Sequence, residues 1–169
     1  GRNDNVEKRN EMIKKARDPE KRAELHVRAA EMIQRVRDDE TATLEHLQAA
    51  LKAAPKNPRA LAAAERFYQE LEDPRGLAAL YAAQLGRLDR DDREGRTRIL
   101  DRLAQVRRYD LRDLEGALEA LEAIAALDPA AVKPREDAAR LLTELGQDDE
   151  AAVAWRGVLE RDPLSADAW

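Results

Sequence analysis

The 169-residue chain has no cysteine and a single serine, Ser165. Disulfide frameworks, thiolate zinc sites and cysteine nucleophiles are excluded together, and one serine beside two histidines specifies no catalytic triad. Aromatic residues make up only 4% of the chain, and Val, Ile and Thr together number 15. A sheet would lack the β-branched and aromatic side chains that pack on a pleated surface. No run approaches the ~18 apolar residues of a bilayer span, so membrane insertion is not expected. Neither charge sign dominates: 30 Lys plus Arg stand against 35 Asp plus Glu, a net charge of -5, which argues against nucleic-acid binding by bulk charge. The seven glycines form no glycine-rich loop ahead of a helix, so a backbone phosphate cradle is missing as well. What is abundant is Ala, Leu, Lys, Arg, Glu and Gln, residues that lose little side-chain freedom in helices. The expectation is an all-helical, soluble chain. Gly1 in place of Met, with no apolar leader, reads as a processed or excised piece of something longer.

The seven prolines punctuate this helical composition. Asp18-Pro19, Asn57-Pro58 and Asp73-Pro74 each set a capping side chain before a proline whose missing N–H costs nothing in a first turn. Reading from signal to signal predicts helices over 19–37, 40–54, 58–71, 74–88, 92–109, 113–127, 133–145 and 148–161. The short links between them require antiparallel neighbours, giving four hairpins in sequence.

The hairpins repeat. Pro55, Asp89, Pro129 and Pro163 close successive second helices at spacings of 34, 40 and 34 residues, so a pair of hairpins recurs every 74. In that register Thr43, Leu77, Ala117 and Ala151 superpose, then Leu47, Tyr81, Leu121 and Trp155, then Ala50, Gln84, Ile124 and Val158. A small residue lets neighbouring helices approach, and a large one on the same face fills the groove between them. All twelve positions are therefore expected in the core.

The run from Leu145 to Pro163, with small Ala151, aromatic Trp155 and closing Pro163, resembles the second half of a tetratricopeptide repeat. Weaker copies end at Pro55, Asp89 and Pro129, so the resemblance covers residues 18–169. Asp89 in place of a closing proline, and Gln84 and Ile124 in place of a small residue, depart from the family pattern. The resemblance implies an all-α, right-handed α-solenoid of antiparallel helical hairpins with alternating 34- and 40-residue units. Its units would be 18–55, 56–89, 90–129 and 130–163. Residues 1–17 then form an N-terminal capping or remnant helix, and 164–169 open a further, truncated unit.

No chemistry-bearing cluster stands out. His26 and His46 fall at repeat positions taken elsewhere by Leu100 and by Leu80, Ala120 and Ala154, which makes them packing variants rather than metal ligands. No cofactor is expected, and no enzyme activity. The acidic stretch Asp89, Asp91, Asp92, Glu94 departs from a calcium loop at Arg93, Gly95 and Leu100. What remains is surface. By resemblance, the first helix of each hairpin lines a concave groove, whose basic candidates are Arg28, Arg59, Arg66, Arg98, Arg102, Lys133 and Arg140. Several of these lie four residues from a glutamate, as in Glu24–Arg28 and Glu136–Arg140, where the pair serves the helix alone. Arg59, Arg66, Arg98 and Arg102 have fewer such partners and suit a carboxylate-bearing peptide. The implied function is a protein-protein interaction module holding a partner peptide or protein, acidic in character. The alternative is an architectural spacer that self-associates through its terminal units. Either role suits a cytoplasmic or a periplasmic home.

Overall fold

The computed structural model describes residues 2–169; Gly1, the residue behind the excised-piece reading, lies outside them. Among the described residues there are helices and no strand. The α-helices are α1 (Arg2–Lys15), α2 (Pro19–Val36), α3 (Glu40–Ala53), α4 (Pro58–Glu70), α5 (Pro74–Arg87), α6 (Arg93–Gln105), α7 (Leu114–Leu127), α8 (Lys133–Glu144) and α9 (Asp148–Arg161). A π-turn over Val106–Asp110 extends α6, and a 3-10 turn over Ala166–Ala168 follows α9. None of these helices is long and apolar enough to cross a membrane.

The helix starts are chemical. Asp39, Asp73, Asp92 and Asp113 each accept a backbone N–H three residues on, at 2.9–3.1 Å, and Asp18 accepts from the N–H of Glu20 at 3.0 Å. Asn57 Oδ1 accepts from the N–H groups of both Arg59 and Ala60 at 3.0 Å. Each such cap satisfies a donor that the helix geometry leaves open and contributes ~1 kcal/mol. Three of the caps share the pattern Asp-x-x-Gly, at Gly76, Gly95 and Gly116. At Gly76 a Cβ would collide with the ring of Tyr68 and the carboxylate of Asp73, so the close approach of α4 to the start of α5 requires glycine there.

The chain forms two compact units, one ending at Leu88 and the other spanning Asp89–Trp169. In the first, α2 and α3 make the most extensive contact, α4 packs on α2 and α3, and α5 packs on α4. Helix α1 lies on α2 through Ile13, which is buried with Leu25 and Ala29 while Met12 stays exposed. In the second unit α7 is central, flanked by α6 and α8, with α9 on α8.

Eleven of the twelve register positions are buried. Thr43 tolerates its place because its hydroxyl donates to the carbonyl of Asp39 at 2.8 Å. Gln84, 1% exposed, donates through Nε2 to the carbonyl of Pro55 and receives Arg87 Nη1 at 3.4 Å. Tyr81 donates its hydroxyl to Glu65 Oε2 at 2.5 Å. Trp155 is the exception. It is only half-buried, its indole donating to Thr143 Oγ1 at 3.4 Å, because α9 has α8 on one side and only the 3-10 turn on the other.

The region expected as one helix over 92–109 also differs. The α-helix stops at Gln105 and a π-turn takes up Val106–Asp110, with Leu111 N–H bonded to Val106 O at 3.0 Å and Asp113 N–H to Arg107 O at 2.7 Å. The wider turn absorbs extra residues while keeping the backbone bonded.

Candidate binding cleft

The second unit holds an open cleft of about 750 Å³ between the first helices of its two hairpins. Its floor comes from α7, whose Leu121, Ile124 and Leu127 face it at spacings of three residues, one side of the helix. Arg93, Glu94, Thr97, Arg98 and Asp101 of α6 form one wall, and Lys133, Pro134 and Asp137 of α8 the other, with Asp128 at the end. A second cavity of about 320 Å³ shares Asp101, Leu121, Lys133 and Asp137 with the first and adds Ala104, Gln105, Arg108 and Tyr109. The two cavities adjoin along α6.

The charges there are largely paired along their own helices. Lys133 Nζ sits 2.8 Å from both carboxylate oxygens of Asp137, and Arg98 Nη2 lies 3.3 Å from Glu94 Oε1. Arg140 Nη1 shares the same Asp137 at 3.2 Å and also pairs with Asp167, the main cause of its raised pKa. Arg108 Nη2 reaches Glu144 Oε1 at 2.7 Å, bridging α8 and the π-turn, and its guanidinium stands 5.4 Å from the centre of the Tyr109 ring. Asp101 accepts from Gln105 Nε2 at 3.1 Å, and Asp128 caps its own turn through Ala130 N–H at 3.2 Å. Lys133 and Arg98 are 76% and 60% exposed, so their pairs are worth less than ~1 kcal/mol and open readily to a guest.

The seven basic candidates separate by unit. Arg98 and Lys133 line the cleft, Arg140 neighbours it through Asp137, and Arg102 is half-buried on α6. Arg28, Arg59 and Arg66 belong to the first unit, all exposed, Arg28 on α2 and the other two on α4. Gln105 at the end of α6, and Arg108 and Tyr109 of the π-turn, line the second cavity. His26 and His46, expected as packing variants, are half-buried and meet Nδ1 to Nδ1 at 2.9 Å with ring centroids 5.2 Å apart. Ser165 is buried and donates to Glu136 Oε1 at 3.2 Å. Among the described residues no three His, Asp or Glu side chains gather to hold a metal ion.

Within each unit, helices that neighbour one another in the chain pack together as hairpins, the pattern of an α-helical repeat protein. Solved structures identify the kind of repeat. The fold matches YrrB, described as a TPR protein with an unusual peptide-binding site, at TM-score 0.53 and 20% identity over 96% of this chain and 79% of that one. It matches two structures of MamA, also at TM-score 0.53, with 12% and 13% identity over 95% of this chain and 88% and 82% of theirs. No family model matches the chain, and neither does any curated protein. The fold is thus of the tetratricopeptide type, all-α and built of helical hairpins.

Proposed function

We propose that the chain is a non-catalytic interaction module that holds an extended segment of a partner protein in the cleft between α6 and α8. The observation that carries this reading is the cleft itself: about 750 Å³, floored by Leu121, Ile124 and Leu127 and walled by charged side chains of both signs. An apolar floor takes the side chains of a peptide, and polar walls fix its direction and backbone. The peptide-binding site named for YrrB, which shares the fold, supports the reading. In the cleft, Lys133 and Arg98 exchange their intrahelical carboxylates for those of the guest, and Arg140 supports Lys133 through Asp137. On the first unit the exposed Arg28, Arg59 and Arg66 give an acidic partner further contacts.

A displayed peptide library tests this. Wild-type protein selects a peptide family; Thr97→Trp, which fills the cleft, and the reversal of Arg98 and Lys133 to Glu both lower affinity at least roughly tenfold with an unchanged thermal midpoint. Undiminished binding to both variants rejects the cleft.

A second reading rests on Leu164 and Trp169, 90% and 86% exposed beside α9. Apolar groups so placed favour self-association through the terminal unit. Concentration-dependent oligomers that vanish when residues 165–169 are deleted, with no peptide selected, support that architectural role instead.

A further inference from the structure

We infer that a pocket between the start of α2 and the end of α3 is a binding site for a phosphate-class oxyanion, a tetrahedral dianion held by Arg22, Lys52 and His26. The pocket has a volume of about 440 Å³ and is lined by Pro19, Arg22, His26, Ala49, Lys52 and Ala53. Three of these six side chains are potential cationic or N–H donors, the other three are apolar, and none is a carboxylate. The basic groups of the cleft, by contrast, sit beside acids: Arg98 by Glu94, and Lys133 and Arg140 by Asp137.

Arg22 gives the sharpest sign. Its Nε is buried with no hydrogen-bond partner, as are Asn10 Oδ1 and Arg135 Nε elsewhere in the chain, but Arg22 alone of these three residues lines this pocket. Glu20, two residues before it, is engaged elsewhere, since Glu20 Oε2 accepts from Asn57 Nδ2 at 2.8 Å. An oxyanion in the pocket supplies the missing acceptor and forms charge-assisted bonds with the guanidinium and with Lys52. Three convergent donors exceed what a carboxylate needs and match the number of oxygens on a phosphoryl group.

The histidine pair completes the site. In the 2.9 Å Nδ1···Nδ1 contact one imidazole must donate and the other accept. When His46 donates, His26 carries its hydrogen on Nε2, the nitrogen that the pair leaves over, and can offer it to the anion. Arg22 and His46 both disfavour a proton on His26, and burial does so most, while Glu45 acts in the opposite direction on His46. A bound dianion reverses the balance at His26. The same Nδ1 pair would suit a divalent metal by distance, but Arg22 and Lys52 beside it repel a cation. No glycine-rich loop takes part, so this site works through side chains alone.

The experiment follows the His26 imidazole by NMR while inorganic phosphate is added at constant ionic strength, with sodium chloride as the control. The His26 signals shift saturably in the millimolar range with phosphate and not with chloride. Lys52→Glu, a change at an exposed position, and Arg22→Gln each weaken the apparent affinity roughly tenfold, as loss of one charge-assisted bond requires. O-phosphoserine as a second ligand separates a free ion from a phosphomonoester group: tighter binding of either one identifies the source. A linear, unsaturated response, equal affinity in a folded Lys52→Glu variant, or saturation of the pair by zinc with none by phosphate overturns the assignment.

Discussion

Glu72 and Gly146 close the same backbone turn 74 residues apart. After α4, the N–H of Glu72 bonds Gln69 O and that of Asp73 bonds Tyr68 O, each at 3.0 Å. After α8, Gly146 bonds Thr143 O at 3.1 Å and Gln147 bonds Leu142 O at 3.0 Å. Both turning residues are left-handed, with φ of 50° and 73°. The other two left-handed residues, Asp38 and Arg112, are 74 residues apart as well. The turn suits glycine and strains glutamate. Glu72→Gly is expected to stabilise the protein by about 0.5–1 kcal/mol and Gly146→Ala to destabilise it by about 1 kcal/mol, both read from denaturant midpoints at constant slope.

Acid is expected to weaken the first unit through His26 and His46. Burial lowers both pKa values, and His46 and Arg22 lower that of His26 further, against the pull of Glu45 on His46. The folded state then binds fewer protons than the unfolded chain, so their contribution is complete above the unfolded value of about 6.5 and is lost as pH falls through the lower folded values. In phosphate-free buffer the thermal midpoint drops between about pH 7.5 and pH 5.5, and the drop shrinks in the His26→Leu, His46→Leu double variant. An unchanged drop would show that other groups carry the pH dependence.

The buried amide of Gln84 is expected to resist replacement by an apolar isostere. Gln84→Leu keeps the volume but leaves the Pro55 carbonyl without its donor, a loss of about 1–3 kcal/mol. Equal stability of the variant in urea unfolding would mean that water takes over that carbonyl.

Two residues at the same register depth should respond unequally. Leu47, 2% exposed, should cost about 2–5 kcal/mol when truncated to alanine. Trp155→Ala should fall below the ~3–5 kcal/mol of a fully buried tryptophan, because its ring is half in solvent. Calorimetric unfolding of the two variants orders the costs.

Most of the secondary structure was legible because its signals are local. Asp18, Asn57 and Asp73 cap helices at the positions their side chains announce, and the ends of α2, α3, α4, α5, α8 and α9 lie within a residue or two of the proline-to-proline reading. The small, large, medium register found its core positions because burial at one depth recurs wherever the same face meets a neighbour. The candidate site was less legible. Arg98 and Lys133 were named as groove residues through the resemblance, but their pairing with Glu94 and Asp137 depends on rotamers that spacing leaves open.

The sequence by itself determined that this protein is helical, where its helices start, and which face of each is apolar, since capping, proline placement and periodicity act over a few residues. Only the tertiary structure decided that α6 and α8 stand on either side of α7 with a cleft between them, that the backbone widens into a π-turn at Val106, and that His26 and His46 meet. Those outcomes depend on how side chains distant in sequence share space, and no local preference encodes that.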